Sequence, residues 1–197
     1  MPKTKPELTP HNAPHTASMQ DAVRSLLESS GFSMDEPHLQ DTPQRVATCW
    51  QTHLLDGHQM DAATLLSETF PSEGQGLIVA KDIFIQGLCP HHLLPFFGRA
   101  HIAYQPDEHI VGFSKLAELL QCFSHRLTLQ EKVTQEVCDA LEQHLGAKGT
   151  GCIIEATHTC MILRGGEQRQ SQVLTSQFTG TLRDNPPWQQ MMPSSRL

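Results

Sequence analysis

Four things are missing from this chain: a long apolar run, a basic stripe, a leader-like start and an internal repeat. Without about twenty consecutive apolar residues no helix can cross a bilayer, so a membrane location is not expected. Lysine and arginine number 14 against 21 aspartates and glutamates, a net charge of −7 with no clustered cations, so nucleic acid is not an expected partner. The start lacks a charged segment followed by an apolar one, so secretion is not expected and the cytoplasm is the expected compartment. In that compartment the six cysteines read as reduced thiols, some of them metal ligands, and not as bridges. Of the twelve histidines, His11, His15, His38, His53 and His58 are scattered and read as solvent-facing. At 197 residues the chain can bury one domain's core and still carry tails.

What is present centres on Gly87-Leu88-Cys89-Pro90-His91-His92-Leu93-Leu94-Pro95-Phe96. A thiolate and an imidazole are the side-chain ligands that zinc prefers, and Cys-x-x-His can hold one ion. A second thiol and imidazole stand at His158-Thr159-Cys160 on a strand-like run, where residues two apart face the same side. Cys89, His92 and Cys160 would together give three protein ligands with a fourth position open, the pattern of a catalytic zinc.

Around these segments the chain divides into a polar, proline-broken tail (1–18, expected to be disordered), a helical region (19–72), a catalytic domain (73–184) and an irregular tail (185–197). Helical spacing runs from Met19 with Ala22, Val23, Leu26 and Leu27 on one face, ending at Gly31. Asp41-Thr42-Pro43 reads as an N-cap and a first-turn proline, opening a helix through Val46, Ala47, Trp50 and Leu54 toward Gly57. A third helical stretch covers Asp61 to about Glu68. Strands are expected over Leu77–Gln86, Arg99–Tyr104, Gly151–Met161 and about Val173–Leu182. Between the pairs lie a helix over Ser114–Leu120, burying Leu116, Leu119, Leu120 and Phe123, and a second one. The second opens on a Thr128-x-x-Glu131 capping box, turns Leu129, Val133, Val137, Leu141 and Leu145 inward, and stops at Gly146. The expected fold class is α+β: a four-stranded, mostly antiparallel sheet with both helices on one face. Its other face, bare of helices, invites association between copies. Cys49, Cys122, Cys138 and Cys152 read as small core residues, and Met191-Met192 as tail packing.

An ordered set of blocks resembles the GTP cyclohydrolase I family of the tunnelling fold. The blocks are Asp41-Thr42-Pro43-Gln44-Arg45, Cys89-Pro90-His91-His92, Gly112-Phe113-Ser114-Lys115-Leu116, Arg126-Leu127-Thr128-Leu129-Gln130-Glu131, Glu155-Ala156-Thr157-His158-Thr159-Cys160-Met161, Arg164-Gly165, and Thr175-Ser176 to Gly180. The resemblance implies a zinc enzyme that hydrolyses GTP to 7,8-dihydroneopterin triphosphate and formate. It also implies a toroidal homodecamer of two pentamers with active sites at subunit interfaces. On it Cys89, His92 and Cys160 are similar to the family's zinc ligands, and His91 and His158 to its catalytic histidines. Gln130 and Glu131 correspond to residues that hold guanine. Ser114, Lys115, Arg164 and Arg45 correspond to groups around the ribose and triphosphate, Arg45 reaching a neighbouring subunit's site, and Lys132, where an arginine is usual after Glu131, is a further expected substrate contact. Chemistry favours these roles: zinc activates water for attack on C8, a histidine can protonate N7, and a carboxylate can accept both donors of guanine's N1–H and amine edge.

Where Glu, Lys, Arg, Arg and an aliphatic residue are usual in that family, this chain has Pro90, Thr48, Glu118, Lys132 and Gly166. The phosphate clamp is thereby thinned, and Glu118 inverts a charge. Two alternatives stay open: a paralogue acting on a less phosphorylated purine or pterin, and a non-catalytic, zinc-stabilised oligomeric binding module. Residue by residue, Ser114 could equally cap its helix, Lys115 and Arg45 could be solvated cations, and Glu131 could serve the Thr128 box.

Overall fold

A computed structural model describes residues 16–74, 76–163 and 171–192. The chain forms two compact units, Met1–His53 and Leu54–Leu197. Among the described residues no helix is long and apolar enough to cross a membrane.

In the first unit α1 (Thr16–Ser29) and α2 (Thr42–Cys49) pack together. Residues 16–18 are helical, whereas the tail was expected to reach 18; residues 1–15 lie outside the described set. Val23 and Leu27 are half-buried on α1, but Ala22 and Leu26 are exposed, so the expected apolar face is only partly covered. Gly31 takes a φ of 87°, the left-handed stop that its lack of a side chain allows. Pro43 sits in the first turn of α2 as expected, but Asp41 does not cap it. Its carboxylate is drawn instead to Arg45, 3.3 Å away one turn on. The helix stops at Cys49, which is exposed and not a core thiol, and widens into a π turn over Trp50–Leu54.

The second unit starts with a 3₁₀ turn, Asp56–Gln59, and α3, Ala62–Leu65, shorter than its pattern suggested. Asp61 caps α3, its carboxylate accepting the Thr64 N–H at 2.9 Å. Two three-residue strands, β1 (Thr69–Pro71) and β4 (His109–Val111), pair antiparallel and had no sequence signal. The main sheet is antiparallel in the order β2 (Ile78–Leu88), β3 (Pro95–Gln105), β5 (Gly149–His158), β6 (Val173–Phe178). A bulge between Ala80 and Ile83 sets Lys81 and Asp82 opposite His101; the Asp82 N–H, off the ladder at φ 57°, donates to His101 Nδ1 at 3.2 Å.

Helices α4 (Phe113–Ser124) and α5 (Gln130–Leu145) cover one face of the sheet. Leu116, Leu119 and Leu120 from α4 and Val133, Val137, Leu141 and Leu145 from α5 meet Ile85, Phe96, Ala100, Ile102, Tyr104 and Ile154. That is the expected α+β architecture, and Gly146 ends α5 at φ 70°. The Thr128 capping box does not form. Thr128 is buried with its N–H donating to Leu88 O at 3.3 Å, the N-cap position falls to Leu129, and Leu129 is exposed, not inward. The opposite face is not bare: the C-terminal segment carries a short helix, α7 (Trp188–Met191), where an irregular tail was expected. Met191 is fully buried there against Ala103, Ile153 and Leu182, while Phe84, Phe97 and Leu174 remain exposed. Cys122, Cys138 and Cys152 are buried as read.

Candidate active site

The site is the tip of one hairpin and the end of the strand beside it. β2 and β3 pair to Leu88 and Pro95, which leaves residues 89–94 as the connecting loop. Two backbone bonds close that loop: Cys89 N–H to Leu94 O at 3.0 Å and Leu93 N–H to Cys89 O at 2.9 Å. Closure forces Leu93 to φ 54°, a strained position for a residue with a side chain. Because β5 runs antiparallel to β3, its last residue, His158, falls opposite Phe96 at the same end of the sheet.

Here the strand reading needs correction. β5 ends at His158, and Cys160 lies in a helical turn, α6 (Thr159–Ile162). Thr159 makes the turn by donating its hydroxyl to Pro95 O at 2.6 Å. His158 and Cys160 therefore do not share a strand face; the turn carries Cys160 to the hairpin loop, while His158 takes a different neighbourhood.

The ligand atoms of Cys89, His92 and Cys160 lie within 4.8 Å of one another; this is the only such cluster among the described residues. Tetrahedral ligation at ordinary zinc bond lengths separates donors by roughly 3.5–3.8 Å, and Cys89 Sγ stands 3.8 Å from His92 Nδ1. Two thiols and an imidazole also match zinc's donor preference, so the residues fit the ion. His91 Nδ1 is 3.7 Å from Cys89 Sγ, but His91 falls outside the three-residue group, its ring edge-on to His92.

His158 stacks on Phe96 with ring centroids 4.9 Å apart, and its Nε2 lies 2.8 Å from Gln130 Oε1. Burial holds its imidazole below the ordinary range, with the Glu131 carboxylate pulling the other way. Gln130 is only 1% exposed, and its amide nitrogen reaches Ile154 O, Val173 O and Thr175 Oγ1 at 3.0, 2.9 and 3.1 Å. Glu131, next along α5, is exposed and free to meet a ligand. The α4–α5 connection brings both to this end of the sheet through the Leu88–Leu127 bridge.

The remaining expected residues are arranged less convergently. Lys115 donates to Glu118 at 3.1 Å, so the inverted charge is spent on its own helix; Ser114 is exposed and does not cap α4, whose N-cap is Gly112. Lys132 runs along α5 to Glu136 at 3.5 Å. Arg45 belongs to the first unit and pairs with Asp41. Arg164 lies outside the described residues. Phe96 under His158 and Thr159 on Pro95 were missed; only the strand register reveals them.

A family model described as GTP cyclohydrolase I matches residues 19–195. Among curated relatives, GTP cyclohydrolase 1 of Ralstonia nicotianae is 42% identical over 83% of this chain and 78% of its own. That of Deinococcus radiodurans is 38% identical over 86% and 78%. That of Chlorobium phaeovibrioides is 42% identical over 83% and 73%. With a match of that extent, the chain belongs to the GTP cyclohydrolase I family.

Proposed function

We infer that the chain hydrolyses GTP to 7,8-dihydroneopterin triphosphate and formate; its relatives carry the name GTP cyclohydrolase 1. The observation that carries this reading is the meeting of Cys89, His92 and Cys160 at the end of the sheet where β5 closes on half-buried His158. Zinc held by those three residues would supply Lewis acidity and activate water. The chain's own groups would do the rest. Glu131 binds guanine by accepting from its N1–H and exocyclic amine. His158, neutral near pH 7 because its pKa is lowered, takes a proton from the water that attacks C8 and returns it to N7 as the ring opens. His91, exposed beside the loop thiol, serves proton transfer in the second hydrolysis, which frees formate.

Ser114, Lys115, Lys132 and Arg164 are the groups assigned to ribose and phosphates, and Arg45 is assigned to the site of a neighbouring copy. The cytoplasm is the assigned compartment. Assembly as a decamer of two pentamers is the assigned state; association between copies, though not its number, is supported by the edge positions of β2 and β6 among the described residues and by the exposed Phe84, Phe97 and Leu174.

The deciding assay adds GTP to zinc-loaded protein and follows formate together with pterin absorbance. Both are expected to rise at equal stoichiometry. Zinc binding without any purine turnover would instead favour the binding module. The Lys115–Glu118 pair favours one second reading, a less phosphorylated substrate; turnover of GMP or guanosine but not GTP would establish it.

A further inference from the structure

The Gln130 amide is buried, at 1% exposure, and its nitrogen has no hydrogen left to offer a base. Its amide nitrogen carries two hydrogens and faces three acceptors, Ile154 O, Val173 O and Thr175 Oγ1. Reversing the amide would aim its oxygen at two backbone carbonyls, so the orientation is fixed by its surroundings. Thr175 is itself held, its Oγ1 lying 2.7 Å from Thr134 Oγ1, and the Thr134 hydroxyl donates to Gln130 O one turn back on α5. The amide oxygen is therefore pinned toward His158 and can only accept. At 2.8 Å the hydrogen between them belongs to Nε2 of the imidazole. Phe96, stacked at an interplanar angle of 13°, fixes the plane in which that ring turns. Among the described residues, Nδ1 of His158 makes no hydrogen bond.

We propose that Gln130 is a positioning residue: it locks the His158 ring and keeps its neutral form protonated at Nε2, so that Nδ1 is the nitrogen offered to the substrate. Base recognition on α5 then rests with Glu131 and not with the Gln130 side chain. The proposal rests on the reading of His158 as the proton-transfer group and deepens it. An imidazole locked in one tautomer starts the reaction as an acceptor at Nδ1 and becomes a donor at that same atom, with no ring flip between the two transfers.

The test has two arms. In zinc-loaded, full-length protein with ring-¹⁵N histidine, magic-angle-spinning NMR identifies the His158 signals by their loss in His158→Asn. A protonated Nε2 and a bare Nδ1 are expected; the opposite tautomer overturns the proposal. This arm needs no Gln130 variant and survives any misfolding of one. In the second arm, Gln130→Met keeps the length of the side chain and removes its acceptor. It is expected to lower kcat roughly 10- to 100-fold while KM for GTP stays within about twofold. Glu131→Gln is expected to move KM. A Gln130→Met variant with raised KM and unchanged kcat would make the amide a base-recognition group and overturn the proposal. If His158→Asn keeps full turnover, the reading of His158 fails, whichever tautomer the spectrum reports.

Discussion

Leu93 is the residue under most evident strain at the site. It sits at φ 54° with its side chain nearly half exposed, so little apolar burial offsets the backbone cost. A left-handed conformation costs a side-chain-bearing residue about 1–2 kcal/mol, part of which Gly would lose again through unfolded-state entropy. Leu93→Gly is expected to raise the unfolding free energy of the zinc-loaded protein by up to about 1 kcal/mol, measured by urea titration. A clear loss of stability would mean that the Leu93 side chain contributes packing that outweighs the strain. Single residues were also where sequence reasoning separated chemistry from geometry. Cys89, His92 and Cys160 could be chosen from donor type alone. What Gln130 faces could not, because its three acceptors come from β5 and β6, distant in the chain.

At the level of elements, α4 carries the charge that sets this chain apart. Lys115 and Glu118 are three residues apart and bonded at 3.1 Å, each partly exposed, so solvent weakens the pair and an anionic ligand must compete only with a modest partner. Glu118→Gln is expected to lower KM for GTP roughly twofold to fivefold and to leave KM for guanosine unchanged; equal shifts for both would show that Lys115 does not meet phosphate. The same elements show what the sequence could convey. Both core helices and the four main strands were legible, since their periods extend over whole elements. β1 and β4 were not, because three residues carry no period. The turn at Cys160 was misread as strand because the alternation before it gives no warning of where pairing stops. That stop is set by Thr159 bonding to Pro95, a contact across the sheet. The Thr128 box failed for a related reason: its N–H is claimed by Leu88 before the helix can use it.

For the molecule as a whole, buried thiols set an alkaline limit. Burial pushes Cys138 from an ordinary 9.0 up to about 12, and raises Cys152 and Tyr104 as well. The folded chain thus holds these protons more tightly than the unfolded one. Their contribution is full below pH 9.0, the unfolded thiol value, and is lost progressively as pH rises toward about 12. Thermal unfolding is expected to fall steeply over that window, and less steeply in Cys138→Ala despite its lower starting Tm. Parallel slopes would mean that another group governs the alkaline limb.

The Thr159–Pro95 bond and the three ligands all lie at one margin of the sheet, while Lys148 and Gln105 close the other through a 2.9 Å backbone bond far from any of them. The ion would thus act as a fastener at one hem only. Stripping it with a chelator should let amide hydrogens at 89–94 and 158–162 exchange faster, with those at 100–104 and 150–154 keeping their protection. Metal loss in this enzyme would then read as a fraying that begins at the candidate site, and the core would hold its shape long after catalysis had stopped.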